Sequence, residues 1–266
     1  MRTPLARTLL SRVEGGSRLH FTLIDPDKKS PSEALKLAQA AARAGSDAIL
    51  VGGSLGVHEP TLSSVVKATK RSGLPVILFP SNLNGLTPEA DAVMFMYLLN
   101  TLDIYYLSGV QMQAAPLVAK MGLEPIPTAY IIVGDGAAAG YVGVARPVPY
   151  ERPEIVAAYA LAGAMMGAKI VYLEAGSGAR RPVPLDAVRM SKLLLNSARL
   201  PERPILTVGG GVREPETAAR LAEAGADALV TGTLAEENPD LLPSIISAFK
   251  SARGTQQPGG PGHTSS

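Results

Sequence analysis

The chain has 266 residues, of which 46% are hydrophobic, and a formal net charge of +2; this suits one globular domain and gives no reason to expect a nucleic-acid partner. It contains no cysteine, which excludes disulfides, thiolate catalysis and cysteine-ligated zinc or iron–sulfur sites. The three histidines, His20, His58 and His263, lack metal-ligand spacing, which argues against a zinc or haem enzyme.

The two terminal segments and the longest apolar run predict a cytoplasmic protein. Residues 1–16 lack the continuous apolar core of a secretory signal. The longest uninterrupted apolar run, residues 92–99, is far shorter than the ~20 residues that a membrane helix needs. Residues 254–266 are rich in Pro, Gly, Ser and Gln, so a disordered tail is expected after one domain of residues 1–253.

Apolar runs alternate with amphipathic segments along the chain, as in parallel strands joined by crossover helices. Eight runs are predicted strands: 19–24, 48–51, 76–79, 92–97, 126–133, 169–173, 205–208 and 228–231. Seven segments are predicted helices: 32–44, 60–72, 110–121, 153–166, 185–197, 214–224 and 240–251. This pattern predicts a (β/α)8 TIM barrel, an α/β fold whose active site lies at the carboxyl ends of the strands.

The first two strands are each followed by a candidate magnesium ligand. Asp25 comes directly after strand one, where a carboxylate is placed for catalysis and Mg²⁺ prefers oxygen ligands. Asp27, two residues further, is as readily a solvated residue or a helix cap. After strand two, a Gly-Gly-Ser turn brings Ser54, whose hydroxyl oxygen would serve the same cation.

The connection between strands three and four is too short for a crossover helix. It spans only residues 80–91 and is rich in turn formers. We therefore expect the third helix to be missing or replaced by an extended strap. The apolar residues beside it, among them Met94, Met96 and Tyr97, then form a groove for an apolar ligand, or else ordinary core or a subunit contact.

Residues 134–149, after strand five, are rich in Gly and Ala and lie at the face that carries the active site. They are interpreted as a mobile lid from which Tyr141 or Tyr150 contacts a ligand. An ordinary surface loop is the alternative.

Strand six ends in Tyr-Leu-Glu-Ala-Gly-Ser-Gly, with Glu174 as a single acid at the strand end. A carboxylate before a Gly-Ser-Gly turn is typical of a general base beside a hydroxyl-binding loop. An ion pair with Arg180 or Arg181 is the alternative reading.

Strands seven and eight each end in glycine and predict a phosphate site. Gly210 and Gly211 follow strand seven, and Gly232 and Thr233 follow strand eight at a helix start. Glycine lets the backbone approach an anion closely, and N–H groups at a helix start attract it. In (β/α)8 barrels these last two loops frequently bind phosphate.

The motifs LIDPDK, VGGS, YLEAGSG, VGGGVR and ADALVTGT, in this order and spacing, resemble those of geranylgeranylglyceryl phosphate synthases, the archaeal-type group. The resemblance covers roughly residues 19–236. The family joins sn-glycerol 1-phosphate to geranylgeranyl diphosphate through an ether bond, the first ether-lipid step, and requires Mg²⁺. Its barrel also lacks the usual third helix.

The resemblance implies roles for single residues. Asp25 and Ser54 correspond to the magnesium ligands, and Glu174 corresponds to the base. The residues that correspond to the glycerol phosphate site are Tyr172, Leu173, Glu174, Ala175, Gly176, Ser177, Gly178, Gly210, Gly211, Gly232 and Thr233. We also expect a homo-oligomer, a dimer or hexamer, with transient contact to a membrane surface, and an accepted chain length set by bulk at Met94, Met96 or Tyr97.

Three other functions remain open at this point. One is the related heptaprenylglyceryl phosphate synthase activity. Another is a different phosphate-binding barrel enzyme, such as an isomerase of histidine or tryptophan biosynthesis, although strand five here ends in Val133 and Gly134 without the acid expected there. A non-catalytic lipid or phosphate carrier is the third, and retention of both Asp25 and Glu174 argues against it.

Overall fold

Eight parallel strands close into a barrel in which each strand pairs with the next and the last pairs with the first. The structure, a computed structural model, describes residues 3–53 and 59–252, so Ser54 and the predicted tail lie outside the described residues. The strands are β1 (Leu19–Ile24), β2 (Ala48–Val51), β3 (Val76–Leu78), β4 (Ala92–Leu98), β5 (Glu124–Ile132), β6 (Ile170–Glu174), β7 (Ile205–Gly209) and β8 (Ala228–Thr231). The predicted (β/α)8 barrel is confirmed.

Helices surround this barrel. In the described part of the chain they are α1 (Leu5–Glu14), α2 (Pro31–Ala44), α3 (Glu59–Lys70), α4 (Val110–Met121), α5 (Ala137–Val142), α6 (Pro153–Met165), α7 (Leu185–Ser197), α8 (Pro215–Glu223), α9 (Thr233–Glu237) and α10 (Leu242–Ser251). The sequence patterns predict all of them except α1 and α5, although for α9 they predict only the start, at Thr233. Among these described helices, none is long and apolar enough to span a membrane.

Local signals set the bounds of α2, one of the predicted helices. Ser30 caps its start in a capping box with Glu33, and Pro31 occupies the first turn, where its missing N–H costs nothing. Gly45 ends the helix at φ 94°, a left-handed conformation that favours glycine.

The unpredicted helix α1 closes the amino end of the barrel. Its first N–H groups, of Leu5 and Ala6, donate to the carboxylate of Glu124 at 2.6 and 2.8 Å. Leu9 and Leu10 are buried in the cluster that fills the barrel interior. The barrel is therefore sealed at this end, and a ligand enters from the carboxyl ends of the strands.

The connection from β3 to β4 contains a single 3₁₀ turn, Leu83–Gly85, and no α-helix, as expected. The Asn82 side chain accepts the Asn84 N–H at 2.9 Å and fixes this turn. The expected modification of the barrel is thus confirmed: a strap replaces the helix that would follow β3, which is the third helix of the repeating pattern.

Side chains alternate between two cores because successive residues of a strand point to opposite sides. On β2, Ala48 and Leu50 lie in the interior cluster with Phe21, whereas Ile49 and Val51 pack against the outer helices. Burying a large apolar side chain contributes roughly 1.5–3 kcal/mol. This double packing holds the strand ends that carry the candidate site.

Candidate active site

A cavity of about 580 Å³ opens at the carboxyl ends of the barrel strands. One half is polar and is formed by the ends of β1, β6, β7 and β8 and the loops after them. The other half is apolar and is formed by β4, α4 and α5. Of the sequence-predicted residues, those that line the cavity are Asp25, Asp27, Met96, Tyr172, Glu174, Ser177, Gly178, Gly210, Gly211, Gly232 and Thr233.

Glu174 lies at the junction of the two halves, at the end of β6. Its side chain is buried, with the residue only 6% exposed, yet it reaches the cavity. Oε1 accepts the Gly176 N–H at 2.6 Å, and the Tyr130 hydroxyl donates to Oε2 at 3.2 Å. Gly210 (φ 84°) makes room for this carboxylate, because a Cβ there would lie 2.6 Å from Oε1.

Burial shifts the acid–base behaviour of this group. Desolvation raises the pKa of Glu174 above its ordinary value, against the opposing hydrogen bonds from Gly176, Tyr172 and Tyr130. Burial and the Glu174 charge also raise the pKa of both tyrosines well above the ordinary value. The tyrosines therefore stay protonated donors, and Glu174 is a better proton acceptor than a solvated carboxylate.

The alternative ion-pair reading of Glu174 is not realised. Among the salt bridges of residues 3–53 and 59–252, none joins Glu174 to Arg180 or Arg181. The Arg181 guanidinium instead stacks on the Tyr150 ring at 4.0 Å from its centroid.

Tyr172 stands beside Glu174 in an aromatic cluster that sequence reasoning found only in part. Its ring lies 5.1 Å from that of Tyr130 and 5.7 Å from that of Phe79, measured between centroids. Tyr130 and Phe79 also line the cavity. The missed signal is the two-residue period of β5, which turns Tyr130 inward beside Tyr172, its partner in the strand register.

Two residues of the predicted glycerol phosphate segment point away from the cavity. Leu173 and Ala175 belong to the buried outer core between strands and helices, because they alternate with Tyr172 and Glu174. Only their backbone is available to a ligand.

The loops after β6, β7 and β8 meet as the phosphate prediction requires. The hydroxyls of Ser177 and Thr233 lie 3.1 Å apart and join the first and third of these loops. Arg213 donates to the Gly178 carbonyl at 3.4 Å and joins the second loop to the first. Arg213 is exposed and lines the cavity beside Gly210 and Gly211. The sequence analysis did not single out this arginine.

Asp25 follows β1 and lines the polar half of the cavity. Its carboxylate faces Gly53, where a Cβ would lie 2.6 Å from Oδ1, so only glycine admits the acid in this position. The Asp25 N–H donates to Glu236 Oε1 at 3.0 Å, and Lys28 Nζ lies 3.4 Å from Asp25 Oδ2. Asp27 is exposed at the rim and does not cap α2, since Ser30 does.

The Asp25 carboxylate is a suitable ligand for Mg²⁺. Within the described residues no group of three or more His, Cys, Asp or Glu side chains is arranged to hold a metal. Mg²⁺ commonly needs only one or two protein carboxylates, with water and substrate phosphate completing its shell. Asp25 supplies such an oxygen at the cavity wall.

The apolar half of the cavity follows one face of β4. Met96 and Leu98 line it together with Val142 and Gly143 of the segment after strand five. Met94 is fully buried below them in the barrel interior. Tyr97 points the other way, and its hydroxyl donates to the Gly163 carbonyl of α6 at 3.4 Å.

Residues 134–149 do cover the site, through α5. The cavity is lined by Ala138, Ala139 and Val142, whereas neither Tyr141 nor Tyr150 is among the described lining residues. Tyr141 is 90% exposed. Neither tyrosine therefore lines the cavity, and a ligand contact by one of them stays a prediction.

Comparisons with known proteins agree with this geometry. The PcrB family model matches residues 12–252. The geranylgeranylglyceryl phosphate synthase of Aeropyrum pernix is 59% identical over 94% of this chain and 98% of its own. The chain belongs to the geranylgeranylglyceryl phosphate synthases of the PcrB family. The corresponding enzyme of Caldivirga maquilingensis is 46% identical over 91% of this chain and 90% of its own.

Solved structures of this family share the fold closely. The geranylgeranylglyceryl phosphate synthase of Thermoplasma acidophilum, in complex with its substrate sn-glycerol-1-phosphate, superposes with a TM-score of 0.87 at 37% identity, covering 94% of this chain and 99% of that one. The tryptophan synthase alpha chain of Legionella pneumophila reaches a TM-score of 0.56 at 16% identity, covering 94% of this chain and 98% of that one, and shares the fold alone. The predicted resemblance is confirmed.

Proposed function

We propose that this prenyltransferase forms the ether bond between sn-glycerol 1-phosphate and geranylgeranyl diphosphate in a Mg²⁺-dependent reaction. The observation that carries the proposal is the position of Glu174, a buried carboxylate of raised pKa between the glycine loops, where phosphate is expected, and the apolar half of the cavity. A proton acceptor at this junction fits a reaction that joins a polar alcohol to an apolar chain. The products are geranylgeranylglyceryl phosphate and diphosphate.

The polar loops would position the alcohol. Backbone N–H groups near Gly210, Gly211 and Gly232 would bind the phosphate of glycerol phosphate, and the hydroxyls of Ser177 and Thr233 lie at the same place. Binding at the phosphate would place the C3 hydroxyl toward Glu174. Such orientation removes much of the entropic barrier to a bimolecular step.

Bond making and breaking then balance as follows. The C3 oxygen forms a bond to C1 of the prenyl chain, while the C1–oxygen bond to diphosphate breaks and its electron pair leaves with the diphosphate. Glu174 accepts the hydroxyl proton. The rings of Phe79, Tyr130 and Tyr172 line this part of the cavity, and their π faces would stabilise positive charge on the allylic carbon.

Asp25 would hold Mg²⁺, with Ser54 as the expected second ligand. The cation, when bound, neutralises charge on the leaving diphosphate. The apolar wall formed by Met96, Leu98 and Val142 would hold the chain and keep water from the reacting carbon.

Two expectations about the surroundings of the enzyme stay predictions. One is a cytoplasmic location with transient contact to a membrane surface. The other is assembly as a homodimer or homohexamer. Both follow from the sequence and the family resemblance.

The test is a product assay with purified protein. It combines sn-glycerol 1-phosphate with C20 or C35 diphosphate, with Mg²⁺ or with EDTA, and detects the ether product by mass spectrometry. We expect the C20 product with Mg²⁺ and a much lower yield with EDTA or sn-glycerol 3-phosphate. Preference for the C35 donor would assign the heptaprenyl activity instead, and absence of any ether product would refute the proposal.

A further inference from the structure

Lys28 is held at the cavity rim by two carboxylates. Its Nζ lies 3.4 Å from Asp25 Oδ2 and 3.7 Å from Glu236 Oε2. Two partners at these distances leave at least one of the three N–H donors of the ammonium group for a ligand. The Lys28 side chain is 57% exposed and lines the cavity. It is therefore placed to contact a bound anion.

Glu236 is the second acid beside this lysine, and it is itself held in place by backbone contacts. Its side chain is only 9% exposed, and Oε1 accepts the Asp25 N–H at 3.0 Å. Its own N–H donates to the Gly232 carbonyl at 3.0 Å. Glu236 thus connects the loop after β1 to the loop after β8, and its second oxygen faces Lys28.

Two basic side chains that line the cavity lie near the expected positions of different anions, the diphosphate and the glycerol phosphate. Among the described residues that line the cavity, the basic side chains are Lys28 and Arg213. Arg213 lies with Gly210 and Gly211, where glycerol phosphate is expected. Lys28 lies beside Asp25, the expected magnesium ligand on the diphosphate side. The same rim carries the acids Asp25, Asp27, Glu236 and Glu237, which repel a diphosphate unless cations offset them.

We propose that Lys28, positioned by Glu236, binds the diphosphate of the prenyl substrate, while Arg213 serves the phosphate of the other substrate. The assignment rests on the proposed function. Lys28 contacts the leaving group, and Glu236 acts through Lys28 as a positioning residue. Neither was singled out as a functional residue by the sequence, because Glu236 meets Lys28 only through the closure of β8 onto β1.

The kinetic test compares Lys28→Gln with Arg213→Gln. We expect Lys28→Gln to raise the KM for the prenyl diphosphate about tenfold, as for loss of one partly exposed charged contact, with the KM for sn-glycerol 1-phosphate unchanged. Arg213→Gln should show the reverse pattern. Lys67→Gln is the matched control, since Lys67 has similar exposure and an ion pair with Glu89 but lies in the last turn of α3. Equal changes in both KM values for Lys28→Gln would overturn the proposal.

A binding test separates this proposal from the proposed function, because it needs no turnover. Calorimetric titration with inorganic diphosphate and Mg²⁺ should show about tenfold weaker binding for Lys28→Gln than for the wild type and Lys67→Gln. Glu236→Gln removes a repelling charge but should also weaken binding, since Lys28 loses its support. Tighter or unchanged binding in Glu236→Gln would refute the positioning role, and unchanged binding in Lys28→Gln would refute the contact itself. Thermal melting confirms that each variant is folded.

Discussion

Glu174 is the residue on which the proposed chemistry depends most. Glu174→Gln keeps the shape of the side chain and removes the proton acceptor, so we expect the turnover number to fall by roughly 10²–10⁴-fold. Binding of sn-glycerol 1-phosphate, measured by calorimetry, should weaken much less. A variant that loses binding but keeps its turnover number would reduce Glu174 to a positioning residue.

The raised pKa of Glu174 gives this prediction a pH dependence. The base acts when deprotonated, so kcat/KM should fall as the pH falls through a pKa above that of a solvated glutamate. This decrease at low pH should be absent in Glu174→Gln, because glutamine does not titrate.

Asp25 tests the metal assignment at the same scale. Asp25→Asn should leave the fold intact, because the side chain lies at a strand end, and should abolish nearly all turnover since a neutral amide is a poor Mg²⁺ ligand. The measurement is activity against Mg²⁺ concentration, with the exposed Asp186→Asn on α7 as the charge control. A normal Mg²⁺ titration in Asp25→Asn would rule out the assignment.

At the scale of elements, strands and crossover helices were predictable because each has a local signal. Buried strands are short apolar runs, and helices such as α2 carry their own caps. The helix α1, which the sequence did not predict, depends on a tertiary contact. The start of α1 is bound by Glu124, which is 119 residues away from Leu5 in the sequence. A pattern of neighbouring residues cannot reveal a partner so distant in the sequence.

The strand β4 gives a prediction with an internal control. Successive side chains face opposite sides, so Met96 lines the apolar cavity while Tyr97 packs toward α6. Met96→Ala should widen the cavity and shift preference toward longer diphosphates, measured by competition between C20 and C35 donors. Tyr97→Ala should cost stability, as truncation of a packed aromatic residue does, and leave the preference unchanged.

The opposite outcome would place the prenyl chain elsewhere. A changed preference in Tyr97→Ala alone, with folding preserved, would put the chain on the outer face of β4. The sequence pattern grouped Met94, Met96 and Tyr97 as one apolar cluster. The two-residue period separates the two methionines from Tyr97, and the structure shows that the methionine face is turned inward.

At the scale of the whole molecule, the site is assembled by barrel closure, and this limits what the sequence reveals. Asp25 and Glu174 were found because each directly follows or ends a strand. Tyr130 lies within a strand, and its role depends on the register that places it beside Tyr172. Lys28 and Glu236 are distant in sequence, and they meet because the barrel closes.

The same closure buries a histidine. His20 on β1 approaches the Ser46 hydroxyl through Nδ1 at 2.7 Å and the Thr231 hydroxyl of β8 through Nε2 at 3.0 Å. Burial, helped by the nearby Lys250 and opposed by Asp47, lowers the pKa of His20 from 6.5 to about 3. His20 is therefore neutral in the folded protein near neutral pH.

This histidine should make the barrel sensitive to acid. Below a pH of about 6.5 the unfolded chain binds a proton at His20 that the folded chain excludes, so the free energy of unfolding should fall as the pH falls from 6.5 toward 3. The contribution is at most about 1.4 kcal/mol per pH unit. Urea unfolding at several pH values measures it, with His20→Gln as the comparison, because glutamine keeps a polar group without the titration. The difference in stability between wild type and His20→Gln should be constant above pH 7 and should shift against the wild type below pH 6. A difference that does not change with pH would show that His20 binds a proton equally in both states, and that acid sensitivity comes from the carboxylates alone.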